Sequence, residues 1–227
     1  MITTKLQGGQ LRKFILIIWI VTLTILGLVL IFNEPIKDYT IEHMQNSALN
    51  SPIKNKPKSG QFDIGKVKEV KSKDIVNAAV QSSDNSIGKI SIPSVGLRLP
   101  IFYGMANDNM VRGACTMRPD EQMGMKGNYC LAGHHMMDSQ ILFGPLEHVK
   151  AGDKIYLTDG EKTYVYRVDD TKVVSKYETI WLQNTNQGNV LTLITCASGK
   201  KGEMKRIVVR GSLISINKYN PQPFKNN

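Results

Sequence analysis

The hydrophobic pattern of the chain begins with one long apolar run, Phe14–Phe32, which contains no charged residue. As a helix, this run would span roughly 28 Å, close to the thickness of a bilayer's hydrocarbon core. It therefore predicts a transmembrane anchor over residues 14–32. Arg12 and Lys13 precede the run, so the positive-inside rule places residues 1–13 in the cytoplasm and the chain beyond Glu34 outside.

A cleaved secretory signal is the alternative interpretation of this run. The apolar segment is longer than a usual signal core, and no small-x-small cleavage site follows it. These two features favour a retained anchor. Both interpretations place the rest of the chain outside the cytoplasm.

Residues 33–85 have a different composition, rich in Lys, Asn, Ser and Pro, with little hydrophobic periodicity. This composition is typical of a linker. We therefore predict an extracytoplasmic spacer, with a short helix near Lys73–Val80.

From residue 86 onward, short apolar runs alternate with Gly, Pro and polar residues, a pattern typical of β-strands. The strand-like runs are Lys89–Ile92, Leu97–Tyr103, Lys154–Thr158, Lys162–Val168, Asn189–Thr195 and Arg206–Ile216. Asp159 and Gly160 separate two of them and predict a β-hairpin. Helical signal is limited to about one turn near Ile141–Val149. The pattern predicts a closed or nearly closed β-barrel over residues 86–217, followed by a tail at 218–227.

Composition and charge restrict the class of protein. Hydrophobic residues make up 41% of the chain and charged residues 21%, which is ordinary for a globular protein. The net charge of +10 is spread along the sequence rather than gathered in one stripe, which argues against nucleic-acid binding. A basic surface facing an anionic membrane or envelope fits this distribution. Three cysteines are too few for a disulfide framework, and at least one must stay unbridged within the chain.

The strand-like run Leu191–Thr195 leads directly to Cys196 and is then broken by a basic, glycine-bearing loop. A thiol at the end of a strand can be reached by a substrate, and the cations from Lys200 to Arg206 would favour the thiolate, which is the nucleophilic form. The alternative is a buried cysteine that acts as a small hydrophobic residue.

A second strand-like segment, Asn128–Gly133, leads to His134, and histidine is suited to proton transfer near neutral pH. A structural, hydrogen-bonded histidine is the alternative. The doublet with His135 would permit metal binding, but no third ligand follows at a suitable spacing, so we expect no metal.

Arg206 begins the strand that follows the loop after Cys196. Antiparallel pairing of the two strands would bring Arg206 beside Cys196, where the planar guanidinium group can stabilise an oxyanion.

Together these segments resemble the sortases, and most closely class A, the housekeeping transpeptidases of Gram-positive bacteria. The resemblance extends from about Ser86 to Ile216, and the anchor and spacer ahead of it also suit class A. The strings that carry it are Thr-Leu-Ile-Thr-Cys at 192–196, Leu-Ala-Gly-His at 131–134 and Arg-Ile-Val-Val at 206–209.

The resemblance implies an all-β, eight-stranded sortase-type barrel with short helices, and a cysteine transpeptidase. Such an enzyme cleaves a C-terminal Leu-Pro-x-Thr-Gly-type sorting signal between Thr and Gly. Cys196 would form a thioester with the Thr carbonyl, His134 would act as general acid and then base, and Arg206 would stabilise the oxyanion. An amine of a peptidoglycan precursor would displace Cys196 and anchor the surface protein to the wall. The positions that match the lining of the family's signal groove are Ala132, Ile194 and Thr195.

The resemblance also implies that no cofactor is required. Some relatives bind calcium through carboxylates near the groove, and the candidates here are Asp120, Glu121 and Glu178. Strand alternation points His135 away from His134, so we expect it to be secondary.

Three other functions stay open at this point. A thiol endopeptidase would let water resolve the acyl-enzyme, but the Cys–His–Asn arrangement of that group is not recognisable. A pilin-polymerising sortase usually carries a lid and a C-terminal membrane span, and neither is visible. A non-catalytic surface-binding module would bury Cys196. A bridge between Cys115 and Cys130 is also left open.

Overall fold

The computed structural model describes residues 4–54, 59–67, 70–80, 85–185 and 188–225. The start of the predicted cytoplasmic segment and parts of the predicted spacer lie outside these residues. The chain divides into two compact units, Met1–Tyr39 and Thr40–Asn227.

The first unit is dominated by helix α1, Thr4–Ile31. Its stretch Gln10–Val29 is long and apolar enough to cross a membrane, and the side chains of this stretch are not buried by protein. The predicted apolar helix is therefore present. Its orientation across a membrane stays a prediction.

The second unit contains a closed barrel of eight strands in the order β1-β2-β3-β4-β7-β8-β6-β5. Pairing of β5 with β1 closes it. The parallel neighbours are β2 with β3 and β4 with β7, and the other pairs are antiparallel. The strands are β1 Ser86–Ile92, β2 Leu97–Phe102, β3 Ala114–Thr116, β4 Gly127–Ala132, β5 Lys154–Thr158, β6 Lys162–Ser175, β7 Asn189–Cys196 and β8 Lys205–Lys218. The predicted all-β, eight-stranded fold is confirmed.

The hairpin predicted at Asp159 and Gly160 joins β5 to β6, and Gly160 has a positive φ of 92° that favours glycine. Strand β6 extends beyond the predicted end at Val168, because it pairs with β8 as far as Ser175. The C-terminal half of β6 is largely exposed, so its sequence lacks the apolar pattern of a buried strand. The predicted helical turn is a 3-10 segment over Gly144–His148.

Strand β7 lies between β4 and β8, where Leu191 and Leu193 are fully buried. The side chain of Thr192 is also fully buried, and its hydroxyl donates to Asn128 Oδ1 at 2.7 Å. Burial on both faces explains why β7 reads as a nearly continuous apolar run. Its last residue is therefore held by a rigid element.

Two further helices precede the barrel: α2, Asn33–Asn50, and α3, Ser72–Val80. The sequence predicts α3 but not α2, whose composition is polar apart from a narrow stripe. The buried residues of α2 are Ile41, Met44, Gln45 and Ala48, at the i, i+3, i+4 and i+7 spacing of one helix face. Ile41 and Ile75 both belong to the barrel's hydrophobic core, so parts of residues 40–80 pack on the barrel. The short helix Asn107–Met110, which we call α4, follows β2.

The packing of α3 can be tested with two adjacent residues. Ile75 is 3% exposed and Val76 is 60% exposed. We expect Ile75→Ala to lower the free energy of unfolding by about 2–4 kcal/mol because it leaves a cavity in the core. Val76→Ala should change it by less than about 0.5 kcal/mol. Denaturant titration of the full chain in detergent micelles measures both values, and equal effects would show that α3 is not packed.

Candidate active site

An open groove with a volume of about 270 Å³ lies at one end of the central strands. Three methionines contribute apolar surface to it: Met105, Met110 and Met117. The segment that precedes the barrel contributes Ile64 and Val67. All six residues predicted for the site line this groove: Ala132, His134, Ile194, Thr195, Cys196 and Arg206.

Cys196 is the last residue of β7 and lies directly opposite Arg206 in the antiparallel register with β8. The expected placement of the thiol and the guanidinium at the same end of the sheet is therefore present. Cys196 is half-buried, so a substrate can reach it from the groove. Nη1 of Arg206 donates to the carbonyl oxygens of Glu203 at 2.8 Å and Lys205 at 2.9 Å, which anchors the guanidinium to the loop.

The loop between β7 and β8 is also held by Glu203. Its carboxylate accepts from the Ser198 hydroxyl at 2.5 Å and from the backbone N–H of Lys205 at 2.9 Å. The hydrogen bond from Ser198, followed by that from Lys205, lowers the pKa of Glu203. Glu203 therefore stays ionised near neutral pH and places a negative charge in the loop that carries Arg206.

His134 follows β4 and is positioned by β7. The backbone N–H of Gly133 donates to Ile194 O at 3.2 Å, and the Thr195 hydroxyl donates to Gly133 O at 2.8 Å. On the other side, the N–H of Phe143 donates to His134 O at 2.9 Å. These three bonds fix the backbone on both sides of the imidazole relative to the strand that carries Cys196.

His135 is buried and does not line the groove. Its Nδ1 lies 2.9 Å from the carbonyl oxygen of Cys196. Because a carbonyl oxygen can only accept, Nδ1 must be the protonated nitrogen of this bond. His135 thus ties the histidine loop to the backbone of Cys196, a role that alternation alone did not predict.

The histidine loop and the loop after β7 approach each other closely at Gly199. A Cβ atom at this position would overlap the backbone of Met136. Glycine is therefore required for the two loops to come together at this point.

Burial lowers the pKa of His134 from 6.5 to about 4, and the carboxylate of Asp74 in α3 opposes this shift. Because charged imidazolium is penalised by loss of water, the ring is neutral in the resting protein at neutral pH. It can therefore accept a proton.

The other two cysteines differ from Cys196. Cys115 and Cys130 are buried, and burial raises the pKa of each thiol, so both stay protonated. None of the three cysteines, all of which lie in the described residues, forms a disulfide. The bridge that the sequence left open between Cys115 and Cys130 is not formed.

Two of the three carboxylates considered for calcium, Glu121 and Glu178, have protein partners. Glu121 lies 2.6 Å from Arg118 Nη2 and accepts from the N–H of Cys130 at 3.0 Å, and Glu178 accepts from the N–H of Ser175 at 3.1 Å. Within the described ranges, no group of three or more His, Cys, Asp and Glu side chains could hold a metal ion. That no cofactor is required stays a prediction.

Sequence reasoning missed the groove residues Ile64 and Val67 and the position of Asp74 near His134. All three lie in the segment predicted as a spacer. The signal that could have found part of this segment is the i, i+3 pair Ile75 and Ala78, which is buried in α3.

Comparison with known proteins decides the family. The profile of the Sortase domain matches residues 90–214. The chain belongs to the sortase family. It is 39% identical over 211 residues to sortase A of Listeria monocytogenes, covering 90% of this chain and 92% of that protein. It is 36% identical over 220 residues to sortase A of Streptococcus agalactiae, covering 92% and 87%.

A solved structure agrees with this assignment. The crystal structure of Listeria monocytogenes sortase A superposes with a TM-score of 0.59 at 43% identity, covering 63% of this chain and 99% of that one. The predicted class A membership is therefore confirmed. The predicted activity of this sortase, a cysteine transpeptidase that anchors proteins to the cell wall, is confirmed with it.

The contact at Gly199 gives a first test of the sortase site. We expect Gly199→Ala to reduce kcat/KM between about 10- and 100-fold, because the new Cβ pushes the loops that carry Cys196 and His134 apart. Gly202→Ala is the control, since a Cβ there meets no atom although its φ of 73° adds some strain. Comparable losses in both variants would contradict the steric explanation.

The electrostatics of His134 give a second test. With ¹³C-labelled histidine, the imidazole signal that disappears in His134→Gln should titrate with a midpoint of about 4. The shift is downward because burial disfavours the charged form. A midpoint at or above 6.5, measured by NMR on the full chain in micelles, would contradict the assignment of a buried, neutral ring.

Proposed function

We propose that Cys196, His134 and Arg206 carry out transpeptidation on a Leu-Pro-x-Thr-Gly-type sorting signal. The observation that carries this proposal is their convergence on one apolar groove, with Cys196 opposite Arg206 at the end of rigid strands. Surface proteins that bear the signal and an amine of the peptidoglycan precursor are the proposed partners.

In the first half-reaction, His134 is neutral, so it must first take the thiol proton of Cys196 as the sulfur attacks the carbonyl carbon of the signal's Thr. Only then can it act as the general acid that the family resemblance implies. The developing oxyanion is stabilised by the guanidinium of Arg206. As the Thr–Gly bond breaks, the imidazolium gives its proton to the leaving amine of Gly. The product is a thioester between Cys196 and Thr.

In the second half-reaction, an acceptor amine attacks the thioester carbonyl and loses a proton to His134. The Cys196 sulfur leaves and regains that proton, which restores the resting state. Each proton released is thus used again, so the site needs no external acid or base.

The groove's composition suits the apolar part of the signal. Methionine side chains adapt to irregular shapes, and Met105, Met110 and Met117 border the groove with Ala132 and Ile194. We propose that Leu and Pro of the signal contact this surface and that the Thr carbonyl then lies beside Cys196. Thr195 supports the site through its bond to Gly133 O.

The same proposal places the barrel outside the membrane. Helix α1 contains the apolar stretch, and Arg12 and Lys13 lie near its N-terminal end. The positive-inside rule then leaves the N-terminus in the cytoplasm. Residues 33–85 would connect the anchor at 14–32 to the catalytic domain on the outer side.

The test uses the full chain in detergent micelles. A Leu-Pro-x-Thr-Gly peptide is incubated with and without triglycine, and the products are followed by mass spectrometry. We expect a ligated product that requires both triglycine and Cys196 and is absent in Cys196→Ala. Cleavage without ligation would contradict transpeptidation to this acceptor and favour a thiol endopeptidase. No reaction, with Cys196 inert to alkylation, would favour a binding module.

Substitutions of His134 and Arg206 test their proposed roles in proton transfer and in oxyanion stabilisation. We expect His134→Ala to reduce turnover about 100- to 10,000-fold, while His135→Ala retains a substantial fraction.

We expect Arg206→Lys to reduce turnover about 100-fold or more, because the point charge of an ammonium group does not reproduce the planar guanidinium. Arg210→Lys, on the same strand but outside the groove lining, is the matched control. Equal activity of both lysine variants would remove Arg206 from the mechanism.

A further inference from the structure

The segment between β6 and β7 forms one wall of the groove through Glu178, Thr179 and Leu182. Its regular structure in the described residues is a single 3-10 turn, Ile180–Leu182. Within this turn the N–H of Leu182 donates to Thr179 O at 3.0 Å. One turn of this kind has little stability by itself, so the position of the wall depends on contacts from elsewhere.

Those contacts reach three consecutive carbonyl groups. Asn128 Nδ2 donates to Trp181 O at 2.9 Å and to Gln183 O at 3.1 Å. Arg118 Nη1 donates to Leu182 O, between them, at 2.5 Å. Two side chains thus hold the three carbonyl groups from Trp181 to Gln183.

The two donors are themselves fixed. Arg118 Nη2 donates to Asn128 O at 2.7 Å and lies 2.6 Å from Glu121 Oε1. The Thr192 hydroxyl of β7 donates to Asn128 Oδ1 at 2.7 Å, so the amide orientation is determined. Asn128 is 3% exposed and the Glu121 side chain 4% exposed, while the Arg118 side chain between them is 29% exposed. Buried, connected hydrogen bonds specify position more strongly than exposed ones.

The groove lining includes neither Arg118 nor Asn128. Their effect on a substrate is therefore indirect, and their bonds to three carbonyl groups point to the turn that carries Leu182 as its route. We infer that Arg118 and Asn128 are positioning residues: they clamp the carbonyl groups of Trp181–Gln183 and so hold the groove wall in the geometry that binds the sorting peptide. This inference rests on the proposed function only for the identity of the ligand.

The clamp should influence binding more than chemistry. Cys196, His134 and Arg206 are held by β7, β4 and β8 through bonds that do not involve Arg118. Loss of the guanidinium would release the wall and weaken peptide binding, while a bound peptide would still meet the same reacting groups. In kinetic terms KM rises and kcat changes little.

Trp181 provides a reporter of the wall that needs no substrate. The chain contains two tryptophans, and the other is Trp19 in α1. In a Trp19→Phe background the tryptophan fluorescence, excited selectively over tyrosine, comes from Trp181 alone. Its ring lies under Lys172, with Nζ 5.0 Å from the ring centroid, so release of the turn changes its surroundings.

The experiment compares Arg118→Met with Arg98→Met in the Trp19→Phe full chain. Arg98 is a matched control because it also donates to a backbone carbonyl, Lys225 O at 2.7 Å, but lies outside the groove lining. For Arg118→Met we expect acrylamide quenching of Trp181 to increase and KM for the peptide to rise about 10- to 100-fold, with kcat within about threefold of the parent. Arg98→Met should change neither quantity.

Arg118→Lys should recover part of the parent's KM and quenching, because an ammonium group keeps the charge beside Glu121 but lacks the fork. If Arg118→Met does not fold, Arg118→Lys is measured alone and should still show a raised KM. Unchanged quenching and KM in the folded variant, or a fall in kcat without a change in KM, would overturn the clamp. Failure of the parent protein to ligate the peptide would count against the proposed function, whereas unchanged Trp181 quenching counts against the clamp.

Discussion

The site depends on one pairing constraint, the register that places β7 between β4 and β8. In this register Cys196 lies opposite Arg206 and Ile194 lies beside Ala132. A slip of one residue would turn each side chain of β7 to the other face, and the thiol would leave the groove. Such a slip is costly because it would move the fully buried Leu191 and Leu193 out of their packing positions and break the buried hydrogen bond from Thr192 to Asn128 Oδ1. Core packing therefore determines where Cys196, the proposed nucleophile, lies.

The same packing selects one thiol among three. Cys115 and Cys130 lie within strands and are buried, which raises the pKa of each thiol and removes it from nucleophilic chemistry. Cys196 ends its strand and is half-buried, so it has the access that the other two lack. Position along its strand therefore distinguishes Cys196, the proposed nucleophile, from the two buried cysteines.

The parts of the fold that could be predicted have local signals in the sequence. Alternation and turn residues indicate β5, β6 and the hairpin between them, and the run ending at Cys196 indicates β7. The position of Arg206 follows from antiparallel pairing of two neighbouring strands. By contrast, the contact of Arg118 with Leu182 O joins residues 64 positions apart. A backbone carbonyl has no side-chain signature, so its partner is decided only by the assembled barrel.

The pKa of His134 depends on a residue that precedes the barrel strands in the chain. Burial disfavours the imidazolium, yet the proposed mechanism requires that cation to form while His134 holds the thiol proton. Asp74, which belongs to α3, is the group that raises the pKa of His134 against this effect. Ile75, the next residue, is buried in the core and holds the helix in place. A catalytic unit that began at Ser86 would lose this carboxylate and the groove surface of Ile64 and Val67. The segment before the barrel therefore contributes a charge and apolar surface to the site, although its composition is that of a linker.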